Sequence, residues 1–477
     1  MRPLWALLSL SLLLILTPVL FLGPSALGST RMIIGLIDLD RPALSPQLQG
    51  RAGSATPLGE LTTRGGRIEY VYRFIDAVLV ELPEEALPEL ATNPYIRFIE
   101  PDGEVAAPKP ESELEVEVEL EPSPLRPQEL GLRLTWEWLP WGVDRIDAEA
   151  VHHPPRGLIP LASLSLPFLP LFGLLRGRGR NRRWLLLVSI LLILGSMILI
   201  FLSGCEPPYL RFRPNTLGFR GEGVKVALLD SGLDPDHPDL RGNYRGGYDF
   251  VNDDPEPRDD NGHGTEVAGV VAAEEDGFGL VGVAPRVELY AVKVLGSNAR
   301  GAISDVIKGI EWAIQHGIKV VNLSLGTPED SRALREAVRA AWEAGLVLVA
   351  AAGNESAGVL YPAAYPEVIA VSATTEDDQL AWSSNFGPEV DLAAPGEEVP
   401  TTYLEGRYKL ATGTSFAAAH VTGVAALLIS SGINDNREVR RRLEQTAEDL
   451  GLPREEQGSG LVDAARAVFG LGEVGDD

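Results

Sequence analysis

Long apolar runs dominate the pattern of hydrophobic and polar positions along the 477-residue chain. Residues 4–22 are almost entirely apolar and follow Arg2 at the N-terminus. They precede Ala26 and Gly28, small residues at the spacing that a signal peptidase reads. This arrangement is typical of a secretory signal. We therefore expect residues 1–28 to act as a signal peptide or N-terminal anchor that directs export.

Two further runs predict a membrane hairpin in the middle of the chain. Residues 184–204 contain no charged side chain and are long enough to cross a bilayer core of about 30 Å. Residues 158–175 are also apolar, but three prolines interrupt them, so this segment is a span or a re-entrant loop. Five arginines within residues 176–183 place the turn in the cytoplasm by the positive-inside rule. Residues 154–217 are thus predicted to form an insertion whose two ends lie outside the cell.

The only cysteine follows the third apolar run. Residues 202–205 read Leu-Ser-Gly-Cys, which resembles the bacterial lipobox, so Cys205 is a candidate lipidation site. The alternative is a helix end that finishes in small residues. A single cysteine excludes an intramolecular disulfide and a zinc–thiolate cluster.

From residue 223 onward the pattern is that of a globular domain. Residues 224–229 form a buried strand by composition and end at Asp230. His263 and Ser415 each stand at the start of a segment of small, helix-compatible residues, and Asn354 follows another apolar strand. Each signal alone has an ordinary explanation: a turn aspartate, a structural histidine or a helix-capping serine.

Together, in the order Asp230, His263, Asn354, Ser415, these blocks resemble the subtilisin family of serine peptidases. The resemblance covers about residues 135–470 and implies an α/β fold with a doubly wound, mainly parallel sheet. It implies that Ser415 is the nucleophile, His263 the general base, and Asp230 the residue that orients the imidazole. Asn354 would donate to the oxyanion, and the chemistry would need no cofactor.

Three positions depart from the family's usual pattern. Phe416 follows the nucleophile where the family usually has Met, and Glu266 stands where a second His is common. Ala419 replaces a proline that crowds the serine's helix turn. We hypothesise that this relaxation favours amine acceptors, so peptidyl transfer is an alternative activity.

The resemblance also implies a site for an extended peptide. Residues 321–326 resemble the edge strand that pairs with substrate, and Leu360 stands where the family often has glycine. This predicts a shallow apolar pocket, although ordinary core packing of Leu360 is the alternative. The predicted substrate-binding residues are Ser324, Leu325, Gly326, Ala351, Ala352, Gly353 and Leu360.

Acidic side chains match calcium ligands of the family at two places. Hard oxygen ligands and a glycine-containing loop suit structural Ca²⁺. The first predicted site comprises Glu137, Asp239 and Asp276. The second comprises Asp249, Asn252 and Asp254, but Arg258 stands where an amide ligand would be; a solvated acidic loop is the alternative.

The N-terminal half divides into two further regions. Residues 30–104 carry a strand-rich pattern and end in Glu-Pro-Asp, which resembles the α+β inhibitor prodomain of subtilisins. An unrelated accessory domain is the alternative. Residues 105–134 are proline-rich and acidic, and predict an extended linker. Autoprocessing is expected between about residues 104 and 135.

Charge limits the choice of partners. The net charge of −26 disfavours nucleic acid, whose phosphates an acidic surface repels. The predicted catalytic domain is 135–153 plus 218–470, followed by an acidic tail, 471–477. We interpret the chain as a membrane-tethered, extracytoplasmic serine endopeptidase that acts on peptides or proteins and is inhibited by its own prodomain. A catalytically silent peptide-binding or chaperone module is the alternative.

Overall fold

A computed structural model describes residues 29–37, 57–108, 140–146, 148 and 218–470. The chain divides into two units, residues 1–148 with 220–477 and residues 149–219. Only Gly218 and Phe219 of the second unit are described. The predicted signal segment, both predicted spans, Cys205 and Glu137 lie outside the described residues. Within the described ranges, no helix combines the length and apolarity needed to cross a membrane.

The N-terminal region forms a four-stranded antiparallel sheet in the order β2-β3-β1-β4. Its elements are β1 (Ser29–Leu36), α1 (Pro57–Thr63), β2 (Arg67–Val71), β3 (Ala77–Pro83), α2 (Leu87–Leu90) and β4 (Ile96–Pro101). Because strand side chains alternate between faces, Ile34 and Val80 pack against α1 and α2, whereas Ile33 and Leu79 join the large core of the following domain. This sheet is therefore buried on both faces.

The remaining elements include a seven-stranded sheet in which every pairing is parallel, in the order β13-β12-β11-β10-β6-β8-β7. The predicted α/β class is confirmed. In chain order the elements are β5 (Glu104–Ala106), α3 (Trp141–Arg145), β6 (Lys225–Asp230), β7 (Tyr244–Asp249), α4 (His263–Ala272), β8 (Glu288–Lys293), β9 (Arg300–Ala302), α5 (Ile303–Gln315), β10 (Val320–Leu323), α6 (Arg332–Glu343), β11 (Val347–Ala351), β12 (Ile369–Thr374), β13 (Leu392–Pro395), β14 (Val399–Tyr403), β15 (Arg407–Ala411), α7 (Thr414–Ser430), α8 (Asn436–Thr446), α9 (Arg454–Gln457) and α10 (Ala464–Phe469).

The strands at the centre of this sheet are continuous apolar runs, which accounts for its burial between helices. Strands β6, β10 and β11 are buried along most of their length, as expected where helices cover both faces of a parallel sheet. Helix α7 packs against α4 and against β10 to β13, and almost all of its side chains are buried. The carboxyl ends of β6, β10 and β11 therefore lie at the edge of the sheet where α4 and α7 begin.

Carboxylates of the N-terminal sheet contact the starts of two helices in the larger domain. Asp102 accepts hydrogen bonds from the Ser304 N–H and hydroxyl, both at 2.8 Å, in the first turn of α5. Glu100 accepts from the Ser331 hydroxyl (2.6 Å) and the Ala333 N–H (3.1 Å) at the start of α6. Helix N-termini carry unpaired N–H groups and a positive dipole end, so both contacts are favourable.

A reciprocal contact runs from α5 to the N-terminal sheet. The Glu311 carboxylate accepts hydrogen bonds from the N–H groups of Arg73 and Phe74, in the turn between β2 and β3. Burial raises the pKa of Glu311, and the hydrogen bonds from these N–H groups oppose that shift. The N-terminal sheet is thus held by carboxylates on both sides of the contact.

Candidate active site

Asp230 and His263 form a buried hydrogen-bonded pair at the carboxyl end of β6. Asp230 is fully buried, and its Oδ1 and Oδ2 lie 2.8 and 3.0 Å from His263 Nδ1. The Ser231 N–H donates to Oδ1 at 2.7 Å and helps to fix the orientation of the carboxylate. A Cβ at Gly264 would lie 2.1 Å from the Gly232 carbonyl oxygen, so glycine after the histidine allows α4 to begin against the end of β6.

The surroundings of His263 favour its protonated form. Burial by itself would lower the pKa of His263, but the charge of Asp230 and its hydrogen bond outweigh this and raise the pKa to about 9. Glu266, on the next turn of α4, adds to the effect. The Glu266 carboxylate is itself buried and lies 2.8 Å from Lys409 Nζ. In the sequence Glu266 is only a departure from the family's usual pattern, and nothing near it indicates the ion pair with Lys409.

Ser415 lies in the first turn of α7, next in sequence to a residue whose ring contacts the His263 imidazole. The ring of the next residue, Phe416, has its centroid 6.0 Å from that of His263. Ser415 Oγ and His263 Nε2 are both buried and, in the described part of the chain, have no hydrogen-bond partner. Buried polar atoms without partners are rare and need an explanation, and a catalytic role is one. Nucleophile and base are often poorly aligned before substrate binds, and their hydrogen bond then tightens.

Asn354 is held with a defined amide orientation. Its Oδ1 accepts from both the N–H and the hydroxyl of Thr414, each at 2.9 Å. A backbone N–H can only donate, so the atom facing Thr414 must be the amide oxygen. The Asn354 NH₂ group therefore occupies the other end of the amide, beside Gly413. The Ser415 N–H belongs to the first turn of α7, where N–H groups have no intrahelical acceptor. The Asn354 NH₂ group and the Ser415 N–H thus both lie at the start of α7.

Two residues that the sequence analysis missed support this arrangement. Thr414 orients Asn354, as described. Asn385, which is fully buried, accepts from the N–H groups of Glu355 and Ala357 and donates to the Ala352 carbonyl oxygen (3.2 Å). It fixes the loop that carries Asn354. Asn385 follows two serines and Thr414 stands between Gly413 and Ser415, so neither is conspicuous in its segment, and their partners lie far away in the sequence.

The predicted peptide-binding strand is occupied by the chain's own β5. Ala106 exchanges two hydrogen bonds with Gly326, at 3.0 and 2.8 Å, and β5 pairs antiparallel with β9 on its other side. The Ser324 hydroxyl lies 3.0 Å from the carbonyl oxygen of Ser415, so the strand containing Gly326 is joined to the first turn of α7. Residues 104–106 therefore form the middle strand of a three-stranded arrangement.

Leu360 lies against the backbone of the predicted pocket. A Cβ added to Gly326 or to Gly353 would come within 2.9 Å of Leu360 Cδ1. The Leu360 N–H also donates to the Ala352 carbonyl oxygen at 2.9 Å. Ala351 and Ala352 are buried at the end of β11. The structure thus brings the predicted pocket residues together, and the Leu360 side chain lies between Gly326 and Gly353.

The first predicted calcium site is partly assembled. Asp239 is buried, its Oδ2 accepts from the Leu280 N–H at 2.9 Å, and its Oδ1 has no partner in the described part of the chain. Burial raises the pKa of Asp239 to about 7, and the charge of Asp276 contributes. Within the described ranges no three His, Cys, Asp or Glu residues cluster as metal ligands, and the third predicted ligand, Glu137, lies outside those ranges. An orphaned carboxylate oxygen beside a glycine-containing loop fits a hard cation.

The second predicted calcium site is closed by its own hydrogen bonds. Asp249 Oδ1 accepts from the N–H groups of Val251 and Asn252, and Oδ2 accepts from Asn252 Nδ2, all at 2.8 Å. Arg258 pairs with Asp236 at 3.0 Å. The Asp249 carboxylate thus accepts three hydrogen bonds within its own loop, and the second calcium site stays a prediction.

Comparison with known proteins matches this part of the chain. A model of the Subtilase family matches residues 221–461. Subtilisin BL from Lederbergia lenta is 47% identical over 253 residues, which are 53% of this chain and 93% of the relative. Subtilisin Savinase from the same organism is 46% identical over 253 residues, with the same two shares. A thermostable alkaline protease from Halalkalibacterium halodurans is 47% identical over 253 residues, 53% of this chain and 69% of the relative.

The family match covers half of the chain, and the matched region contains the Asp230–His263 pair, Asn354 and Ser415. The parallel sheet and the similarity to known proteases lead to one conclusion. This chain belongs to the subtilase family and is a serine endopeptidase, a hydrolase of peptide bonds.

Proposed function

We propose that the enzyme hydrolyses peptide bonds through an acyl-enzyme formed on Ser415. The observation that carries this is the Asp230–His263 pair, whose imidazole contacts the Phe416 ring next to Ser415, together with the buried Ser415 Oγ, which has no hydrogen-bond partner among the described residues. His263 Nε2 takes the Ser415 proton as Oγ attacks the carbonyl carbon, and returns it to the leaving amine. Asp230 holds the proton on Nδ1, so that Nε2 is free to accept. A water molecule then attacks the acyl-enzyme carbonyl while His263 takes its proton, and transfer of that proton to Ser415 Oγ releases the carboxylic acid product.

The developing oxyanion is stabilised by two donors. These are the Asn354 NH₂ group, oriented by Thr414, and the Ser415 N–H in the first turn of α7. Because both are held in place before the reaction, they need no reorganisation as charge develops. No cofactor takes part in this chemistry.

We further propose that the enzyme is made as a zymogen whose N-terminal domain is its inhibitor and is removed by self-processing. Two observations support this. β5 occupies the position of a bound peptide strand, and Glu100 and Asp102 attach the preceding sheet to α5 and α6. A peptide cannot enter while residues 104–106 pair with Gly301 and Gly326.

A membrane-tethered, extracytoplasmic location is also a proposal. It rests on the apolar runs 158–175 and 184–204, the intervening arginines and the N-terminal signal pattern. Retention in the membrane fraction after alkaline carbonate washing is expected. Release of the intact chain into the wash would exclude a spanning hairpin.

The proposed function is tested by intact mass, N-terminal sequencing and fluorophosphonate labelling of the full chain beside Ser415→Ala. The wild type is expected to yield a fragment that starts between about residues 104 and 135 and to carry the label on Ser415. The Ser415→Ala variant is expected to remain unprocessed and unlabelled. An unlabelled wild type, even after an added protease removes the N-terminal domain, would instead favour a silent binding module.

Leu360→Gly is expected to change the preference for the residue before the cleaved bond. The ratio of kcat/KM for a phenylalanine substrate to kcat/KM for the matched alanine substrate should rise by at least about tenfold. Removing the Leu360 side chain opens the space between Gly326 and Gly353. Steady-state rates on a matched pair of peptide anilides check this, with Leu360→Met as a control of similar volume. An unchanged preference in Leu360→Gly would assign this side chain to core packing alone.

Calcium is expected to stabilise the protein through Asp239. A cation at one hundred times its Kd adds about 2.7 kcal/mol, which corresponds to a Tm increase of about 5–10 °C for a domain of this size. Thermal unfolding in Ca²⁺ and in chelator measures the difference, with Mg²⁺ as the ion control. Asp239→Asn should lose most of this increment; an undiminished increment in that variant would place the cation elsewhere.

A further inference from the structure

Asp259 lies four residues before His263 and binds the backbone on both sides of that histidine. Its Oδ1 accepts hydrogen bonds from the N–H groups of Asn261 (3.0 Å) and Gly262 (2.8 Å). Its Oδ2 accepts from the Thr265 N–H (2.9 Å) and hydroxyl (2.7 Å), in the first turn of α4. One carboxylate therefore fixes the path of the chain into and out of His263.

The same carboxylate also holds the turn that follows Asp230. The Ser231 hydroxyl lies 2.8 Å from Asp259 Oδ1, and the Gly264 N–H donates to that hydroxyl at 2.9 Å. An ionised carboxylate can only accept, so the Ser231 hydroxyl accepts from Gly264 and donates to Asp259. The residue after Asp230 and the residue after His263 are thus joined through one hydroxyl and one carboxylate.

The surroundings of Asp259 favour its ionised form. Burial alone would raise the pKa of Asp259, but the hydrogen bonds from Thr265, Gly262 and Asn261 outweigh burial and lower the pKa. An asparagine here would turn its NH₂ group either to the Thr265 N–H or to the N–H groups of Asn261 and Gly262. Two donors that face each other form no hydrogen bond, so neither orientation of the amide reproduces the arrangement.

We propose that Asp259 is a positioning residue, which keeps the His263 imidazole aligned with Asp230 so that Nε2 is presented to Ser415. This inference rests on the proposed peptidase function and deepens it, because it names a residue on which the alignment of the general base depends. Asp259 acts through the Ser231 hydroxyl and the backbone around His263. Without these hydrogen bonds, the start of α4 moves relative to the end of β6, and the Asp230–His263 hydrogen bond lengthens.

Asp260→Asn is the matched control for Asp259→Asn. Asp260 is the next residue, and its half-exposed carboxylate accepts from Lys293 Nζ at 2.6 Å. Asparagine keeps an oxygen for that lysine. The control therefore removes a neighbouring negative charge but leaves the hydrogen bonds to the start of α4 in place.

Two measurements compare these variants with the wild type, all expressed as the full chain. Steady-state kinetics on a peptide anilide give kcat and KM, with active sites titrated by a fluorophosphonate so that misfolded molecules do not enter kcat. The downfield ¹H NMR resonance of His263 Nδ1–H reports the hydrogen bond to Asp230 without any turnover. It is recorded on chains labelled with ¹⁵N-histidine that also carry Ser415→Ala, so that they do not cut themselves.

Asp259→Asn is expected to lower kcat about 10- to 100-fold and to change KM less than about twofold. The His263 Nδ1–H resonance should move upfield, because its hydrogen bond weakens. Asp260→Asn should match the wild type in both measurements. If Asp259→Asn does not fold, Ser231→Ala decides instead, since it removes the bridging hydroxyl but keeps the N–H that bonds to Asp230. For Ser231→Ala the expected loss in kcat is about three- to tenfold, with an upfield shift of the same resonance.

An unchanged kcat per active site, or an unchanged Nδ1–H resonance, in Asp259→Asn would overturn the proposal and leave the peptidase function standing; the same holds for Ser231→Ala where it replaces that variant. An equal loss in Asp260→Asn would also overturn the proposal, because loss of charge alone would then account for the effect. Failure of Ser415 to take up the fluorophosphonate in every form, including the wild type, would overturn both.

Discussion

Replacing Asp230 by asparagine is expected to lower kcat/KM for peptide hydrolysis about 10⁴-fold. The reason lies in the hydrogen bonds of the carboxylate. The Ser231 N–H donates to Oδ1, so an asparagine that keeps its oxygen there places its NH₂ group at the Oδ2 position, 3.0 Å from His263 Nδ1 and within donor distance of that nitrogen. His263 Nδ1 then has to accept, its proton moves to Nε2, and Nε2 can no longer take the proton of Ser415.

The Asp230→Asn rate is best measured on protein from which an added, separable protease has removed residues 29–108, since this variant is not expected to process itself. Glu266→Gln is the matched control. It also removes a buried carboxylate near His263, but one that does not bond to Nδ1. Because the Glu266 charge favours the imidazolium, its loss lowers the pKa of His263 and moves the rising limb of the pH–rate profile to lower pH. A loss of tenfold or less in Asp230→Asn would contradict the assigned role.

Asn354→Ala is expected to lower kcat about 10²–10³-fold with little change in KM. That magnitude is the one measured in subtilisin itself for its oxyanion-hole asparagine. KM should change little because the amide donates mainly to the charge that develops in the transition state. Steady-state kinetics on a peptide anilide separate the two parameters.

Thr414→Val provides the control for Asn354. It removes the hydroxyl that donates to Asn354 Oδ1 but keeps the backbone N–H that also holds it. The expected loss in kcat is about tenfold or less, since one of two orienting contacts remains. If Asn354→Ala raised KM and left kcat intact, Asn354 would be a substrate-binding residue and not an oxyanion donor.

Much of the site could be predicted because its chemistry is concentrated in short segments. The apolar run before Asp230 and the small-residue segments after His263 and Ser415 indicate strand ends and helix starts. Such ends meet at one edge of a parallel sheet. The α/β class was predicted from the resemblance to the subtilisin family that these segments carry.

Other parts could not be predicted, because they depend on contacts between segments distant in the sequence. Nothing near Asn354 indicates that Thr414 orients its amide, and nothing near Ala106 indicates that Gly326 is its partner. The second predicted calcium site shows how local contacts can satisfy residues that also match a ligand pattern. Asp249 and Asn252 match a ligand pattern, but short local hydrogen bonds between them satisfy the carboxylate first.

The carboxylates that join the N-terminal sheet to α5 and α6 have a consequence for folding rates. β6 begins at Lys225, whereas its neighbour β10 begins at Val320, and pairings between such distant segments slow folding. Asp102 binds the start of α5, which lies between β6 and β10 in the chain, and Glu100 binds the start of α6, which follows β10. These two helices pack against each other on one face of the sheet. Part of the loop-closure entropy that pairing of β6 with β10 costs is therefore already lost when these helices are held together. The kinetic barrier to folding should therefore be lower for the catalytic domain when residues 29–108 are attached.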